Sequence, residues 1–216
     1  YQCCPKKERA REETIMNIYR KYFHDSLPSD KQYWTMCSGH TNEDGSFSYG
    51  SELGQLLRSN FISPEQFFGV DIVKDIIVKN DIALPTANWL YGDFVQVMKK
   101  QYKEDTFNPA IINADFISMN KKSSKVTSGI LEFLSYIDCK DVMVIANVMY
   151  TNPYSGKRVA LDKIDGDLLL EEYKKHAEFH YAWNKGWSIH PRVYSYEGTG
   201  ENSNTIMSTL IFYRNF

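Results

Sequence analysis

No apolar run in this 216-residue sequence approaches the roughly 18 residues that cross a bilayer, so no membrane-spanning helix is expected. Excess charge of one sign is lacking too. Against 25 basic residues stand 27 acidic ones, a formal net charge of −2, which excludes a general nucleic-acid coat but not a local basic patch. Cysteine is scarce: Cys3, Cys4, Cys37 and Cys139 make up the set. Adjacent Cys3 and Cys4 do not build a disulfide framework, which points to a reducing, cytoplasmic compartment. Tyr1 to Arg20 is polar and charged, with no apolar centre of the kind a secretory signal needs. The chain shows no internal repeat, low-complexity tract or linker. What it does have is 43% hydrophobic residues, enough for one large core.

Periodicity orders the chain as alternating strands and helices. Lys6 to Phe23 reads as an amphipathic helix, so residues 1–32 form an N-terminal helical segment ahead of one domain over 33–216. Tyr33 to Cys37 is a first strand. The loop Thr41 to Gly50 is too hydrophilic to bury. Ser51 to Phe61 is a helix with Ser51 as N-cap. Phe67 to Asp71, Trp89 to Asp93, Pro109 to Ala114 and Val142 to Met149 are further strands, and the last is apolar almost throughout, as a strand covered on both faces should be. Helices are expected at Val73 to Asn80, Phe94 to Tyr102, Val126 to Tyr136 and Leu168 to Trp183. Arg192 to Tyr196 and Thr205 to Arg214 read as a hairpin around the Gly-rich segment Glu197 to Asn204. The fold class is therefore α/β: a doubly wound, mostly parallel sheet with a C-terminal antiparallel hairpin strand.

The sharpest local pattern is Phe67-Phe68-Gly69-Val70-Asp71-Ile72, an apolar run closed by a carboxylate just before a helix. An open α/β sheet offers acceptors to ribose hydroxyls in this way. Gly69 would permit close backbone approach. Trp89-Leu90-Tyr91-Gly92-Asp93-Phe94 places a second carboxylate after the next strand. Each aspartate also has a plainer reading: Asp71 as a helix cap, Asp93 as part of a surface turn.

On this order of elements the chain resembles the class I S-adenosylmethionine-dependent methyltransferases, over roughly Tyr33 to Phe216. The resemblance implies a Rossmann-like domain with S-adenosyl-L-methionine as cofactor. It assigns the methionine part to Cys37-Ser38-Gly39-His40 and Tyr49-Gly50-Ser51-Glu52, so that Cys37, Ser38, Gly39, Gly50 and Glu52 line that end. Asp71, with Ile72 beside it, would hold the ribose. Asp93 would contact the adenine and Phe94 would pack on its ring. Asn113 and Asp115, at the fourth strand's end, would orient or deprotonate the methyl acceptor. The family's Asp/Glu-x-Gly-x-Gly-x-Gly loop is absent: one glycine stands where two or three are expected, and a polar insertion follows. Asn152-Pro153-Tyr154 resembles part of an amino-methylase motif, but it follows the fifth strand and reads as a turn.

Other constellations carry less. His176, Glu178, His180 and His190 do not have the His-Glu-x-x-His spacing of a zinc protease, and an amphipathic helix explains them better than a metal. Trp183 and Trp187 are expected to cover the core. The run Lys121-Lys122-Ser123-Ser124-Lys125 reads as a solvated loop, with phosphate contact as the functional alternative. Cys37 reads as a small strand residue rather than a nucleophile. The expected function is methyl transfer to an acceptor that is nucleic acid, protein or small molecule, with no membrane partner. The alternative is a non-catalytic nucleotide-binding accessory subunit, which the degenerate glycine loop motivates. A nicotinamide-dependent enzyme is disfavoured because Gly-x-Gly-x-x-Gly does not follow the first strand.

Overall fold

A computed structural model describes residues 9, 12–13, 15–37, 39–115, 121–150, 177–195 and 206–214. The strands are β1 (Gln32–Met36), β2 (Phe67–Asp71), β3 (Asn88–Tyr91), β4 (Pro109–Asp115), β5 (Val142–Tyr150), β6 (Ser188–Ser195) and β7 (Ile206–Arg214). The helices are α1 (Arg20–Phe23), α2 (Glu52–Arg58), α3 (Lys74–Ala83), α4 (Phe94–Lys103), α5 (Lys121–Tyr136) and α6 (Ala177–Asn184). The sheet runs in the order β3-β2-β1-β4-β5-β7-β6. β1, β2 and β3 pair in parallel, whereas β7 lies antiparallel to both β5 and β6. The expected antiparallel strand at Thr205 to Arg214 is thus present, and it is inserted between its two partners. By compactness the chain divides into one unit over 1–112 and another over 113–216.

In the first unit, aromatic side chains align across the strands. Tyr33 and Trp34 stand opposite Phe67 and Phe68 in register. Trp34 stacks on Phe68 at 4.8 Å and 12°, and Tyr33 on Phe67 at 6.0 Å. Such cross-strand pairs fix register as well as adding burial. Ser51 caps α2, its Oγ accepting from the Gly54 N–H at 3.1 Å. Before β1, the Gln66 amide donates to the carbonyls of Pro28 (2.7 Å) and Lys31 (3.0 Å), tying that turn to the start of β2.

The N-terminal expectation changes in detail. Within Lys6 to Phe23, the described residues give a π-helical turn, Ile15–Tyr19, leading into α1. The Tyr19 ring stacks on Phe61 at 5.5 Å. The polar loop after β1 is not wholly hydrophilic. Thr41 and Phe47 form an antiparallel bridge, and Phe47 is buried with its ring edge-on to Tyr49. Gly45 turns it with φ of 82°.

In the second unit, β5 is buried from Val142 to Ala146, and Ile211, Phe212 and Tyr213 of β7 are buried against the same core. Arg214 donates to Asp138 Oδ1 at 2.7 Å and to the Leu134 carbonyl at 3.2 Å. α5 begins at Lys121, five residues before the expected start, so the lysine-rich run is helical and not a loop. Trp187 is buried and donates to Ser135 Oγ at 3.1 Å, but Trp183 is 66% exposed, against the expectation that both indoles cover the core. α6 occupies the end of the helix expected over Leu168 to Trp183; residues 151–176, with Asn152-Pro153-Tyr154 and His176, lie outside the described residues, as does the Glu197 to Asn204 segment. Among the described residues no helix is long and apolar enough to cross a membrane.

Candidate functional site

The carboxyl ends of β1, β2 and β3 are level, because the three strands are parallel and in register. The Cys37 N–H, just beyond β1, donates to the Val70 carbonyl at 2.9 Å, and the Gly92 N–H, just beyond β3, donates to the Asp71 carbonyl at 2.9 Å. Gly92 reaches this position with φ of 144°, which a side chain would disfavour. Asp71 and Asp93 therefore leave one edge of the sheet side by side.

Each carboxylate is oriented by backbone. Asp71 Oδ1 accepts from the Val73 N–H at 2.8 Å, and Asp93 Oδ1 accepts from the Gln96 N–H at 3.0 Å as the N-cap of α4. Asp71 thus closes a turn two residues long and is not the cap of α3, whose N-cap is Val73 without a side-chain bond, whereas Asp93, read plainly as part of a surface turn, is a helix cap; neither bond exhausts the side chain. A carboxylate offers about four lone-pair sites, so most acceptor capacity is left on each. Apolar surface stands beside them: Ile72 is 72% exposed and Tyr91 59%.

The remaining candidates are less available. Phe94 is buried, with its ring edge-on to Trp34 at 6.3 Å, so its face belongs to the core. Glu52 is buried at the start of α2, and its Oε1 accepts from Tyr33 Oη at 2.5 Å. Tyr33 in turn shares a 3.0 Å hydrogen bond with Tyr19. Burial, and next the Glu52 charge, push the Tyr33 hydroxyl well above its ordinary pKa. Burial likewise lifts the Cys37 thiol to about 11, which leaves it protonated and unreactive near neutrality. Gly50 lies in the turn before the Ser51 cap, and Ser38 lies outside the described residues.

Gly39 and Gly69 serve a purpose that sequence reasoning missed. A Cβ on either would overlap or crowd the Trp89 ring. The ligand-approach reading of Gly69 gives way to close packing under an indole. Asn80 was missed as well; it is buried on α3 and donates to Cys37 Sγ at 3.2 Å. Its one visible signal is an amide three residues after Ile77, on the buried stripe of the helix.

No family model matches the chain, and no curated protein does. Solved structures do. The methyltransferase domain of bacterial CtHen1-C superposes with a TM-score of 0.58 over 98% of this chain and 100% of that one, at 13% identity. That of bacterial CtHen1-CN gives 0.50 over 95% and 98%, also at 13%. The chain has the class I S-adenosylmethionine-dependent methyltransferase fold. In this methyltransferase fold, Asn113 lies in β4, buried, and Asp115 is the last residue of that strand. Both belong to the second unit, which begins at Asn113. Among the described residues no three His, Cys, Asp or Glu side chains converge as metal ligands; the Glu178 and His180 positions fall on α6 and His190 on β6, where its ring meets Tyr213 at 5.3 Å.

Proposed function

We propose that the first unit binds S-adenosylmethionine across the carboxyl ends of β1 to β3, and that the chain transfers its methyl group to an acceptor. The observation that carries this reading is the pair of backbone-oriented carboxylates, Asp71 at the end of β2 and Asp93 two residues beyond the adjacent parallel strand β3. The residues present fit the cofactor at its nucleoside end. Asp71 would accept from the ribose hydroxyls in charge-assisted hydrogen bonds, and Asp93 from the adenine amine. Ile72 and Tyr91 would lose exposed apolar surface against the base. Phe94, buried against Trp34, is given no stacking part in this reading. At the methionine end the reading assigns the segment from Cys37 through Gly39 to His40, which leaves β1 at the same carboxyl ends.

The cofactor supplies an electrophilic methyl carbon on a sulfonium, so the protein's work is alignment and exclusion of water rather than covalent chemistry. Asn113 and Asp115 are the residues proposed to orient the acceptor and take its proton. The acceptor class stays open among nucleic acid, protein and small molecule.

The commitment of Gly39 to packing favours a second reading, a non-catalytic nucleotide-binding subunit. Binding and turnover separate the two. S-adenosylhomocysteine at about 100 times its dissociation constant is expected to raise the unfolding free energy by about 2.7 kcal/mol. No stabilisation at millimolar ligand would remove the proposal. Stabilisation without methyl transfer to cell-extract acceptors would leave the accessory reading.

A further inference from the structure

Two glycines face one indole. A Cβ on Gly69 would sit 2.8 Å from Cε3 and Cζ3 of Trp89. A Cβ on Gly39 would overlap the same six-membered ring and lie 3.0 Å from Asn80 Oδ1. The indole cannot easily yield. It stands opposite Gly69 in register, its Nε1 donates to the Leu84 carbonyl at 3.0 Å, and its ring meets Phe67 edge-on at 5.4 Å. From α3, the buried Asn80 amide reaches Cys37 Sγ. The loop leaving β1 is thus gripped at two successive described residues, Cys37 and Gly39, by groups from α3 and β3. Gly39 does not have positive φ, so left-handed backbone is not the reason it is glycine.

We infer that Trp89 and Asn80 are positioning residues for the cofactor. They hold the chain at Cys37 and Gly39, just beyond β1, by packing and a hydrogen bond, which accounts for a loop that needs few glycines. This rests on the proposed cofactor reading. The competing explanation of Gly39 is that the cofactor itself passes too close to tolerate a side chain.

A rescue experiment on the full chain separates the two. Calorimetric affinity for S-adenosylhomocysteine and urea stability without ligand are measured for the parent, Gly39→Ala, Trp89→Phe and the double variant. Phenylalanine lacks the outer ring atoms that the new methyl would meet. Gly39→Ala is expected to lose about tenfold in affinity, and the double variant to bind within about threefold of Trp89→Phe alone. A double variant about tenfold weaker than Trp89→Phe alone would overturn the inference, because the methyl would then collide with ligand whatever stands at position 89. Should Gly39→Ala fail to fold, recovery of a folded, binding double variant is itself the rescue, and an unfolded double variant refutes it. Asn80→Ala is expected to raise KM for S-adenosylmethionine with kcat unchanged; an unchanged KM removes Asn80 from the role. Absence of binding by the parent defeats the cofactor reading and the positioning role with it, whereas non-additive urea stabilities in the same variants still report the glycine–indole packing.

Discussion

Asp71 gives one carboxylate oxygen to the Val73 N–H, so replacing it with alanine removes a turn bond and an acceptor together. Asparagine separates them. Asp71→Asn keeps an oxygen for Val73 but loses the charge, and is expected to fold like the parent while losing at least about tenfold in affinity for S-adenosylhomocysteine by calorimetry. Equal affinity would reduce Asp71 to a turn residue. Cys37 makes a different prediction. Burial raises its thiol from an ordinary 9.0 to about 11, so the folded state favours the protonated form. The stability this confers is complete below pH 9 and is lost as pH rises through about 11, because the unfolded chain ionises first. The difference in urea midpoint between the parent and Cys37→Ala should shrink over that range; a pH-independent difference would contradict the burial account. Asp71 was legible in the sequence because an apolar run closed by a carboxylate before a helix is a local pattern. Phe94 was not, since Trp34 decides where its ring goes and nothing near Phe94 announces Trp34.

Between elements, the hydrogen-bond chain Tyr19–Tyr33–Glu52 joins the N-terminal π-helical turn, β1 and the start of α2. Tyr33→Phe keeps the ring stacked on Phe67 and withdraws a donor from a buried carboxylate. A loss of about 1–3 kcal/mol in urea unfolding is expected, since leaving a buried acceptor short costs its desolvation. A loss below about 0.5 kcal/mol would mean that other donors compensate fully. Ser51→Ala should cost about 0.5–2 kcal/mol in the same measurement through loss of the α2 cap, and no loss would show the cap to be idle. That cap was readable from a serine placed just before a helical pattern. The early start of α5 was not, because the polar Lys121 to Lys125 stretch has no apolar periodicity to mark it. Gly39 and Gly69 advertised that something required them. Only the fold shows that both requirements are Trp89, which the sequence places on a separate strand.

At the scale of the whole sheet, among the described residues β6 is hydrogen-bonded to β7 alone, and β7 is its link to β5. A chain truncated before Ile206 is expected to lose protection of the β6 amides, and of those β5 amides that face β7, in hydrogen exchange, while β1 to β3 keep theirs. Slow exchange in β6 of the truncated chain would contradict that dependence. The same insertion sets a timetable for synthesis. β5 emerges from the ribosome with β4 already made beside it, but its other edge, and all of β6, wait for β7, several seconds later at ordinary elongation rates. During that interval the free edge of β5 is an open strand edge of the kind that recruits other chains. The molecule's exposure to aggregation is therefore greatest while it is being made, and the strand that ends it is the last of the seven to arrive.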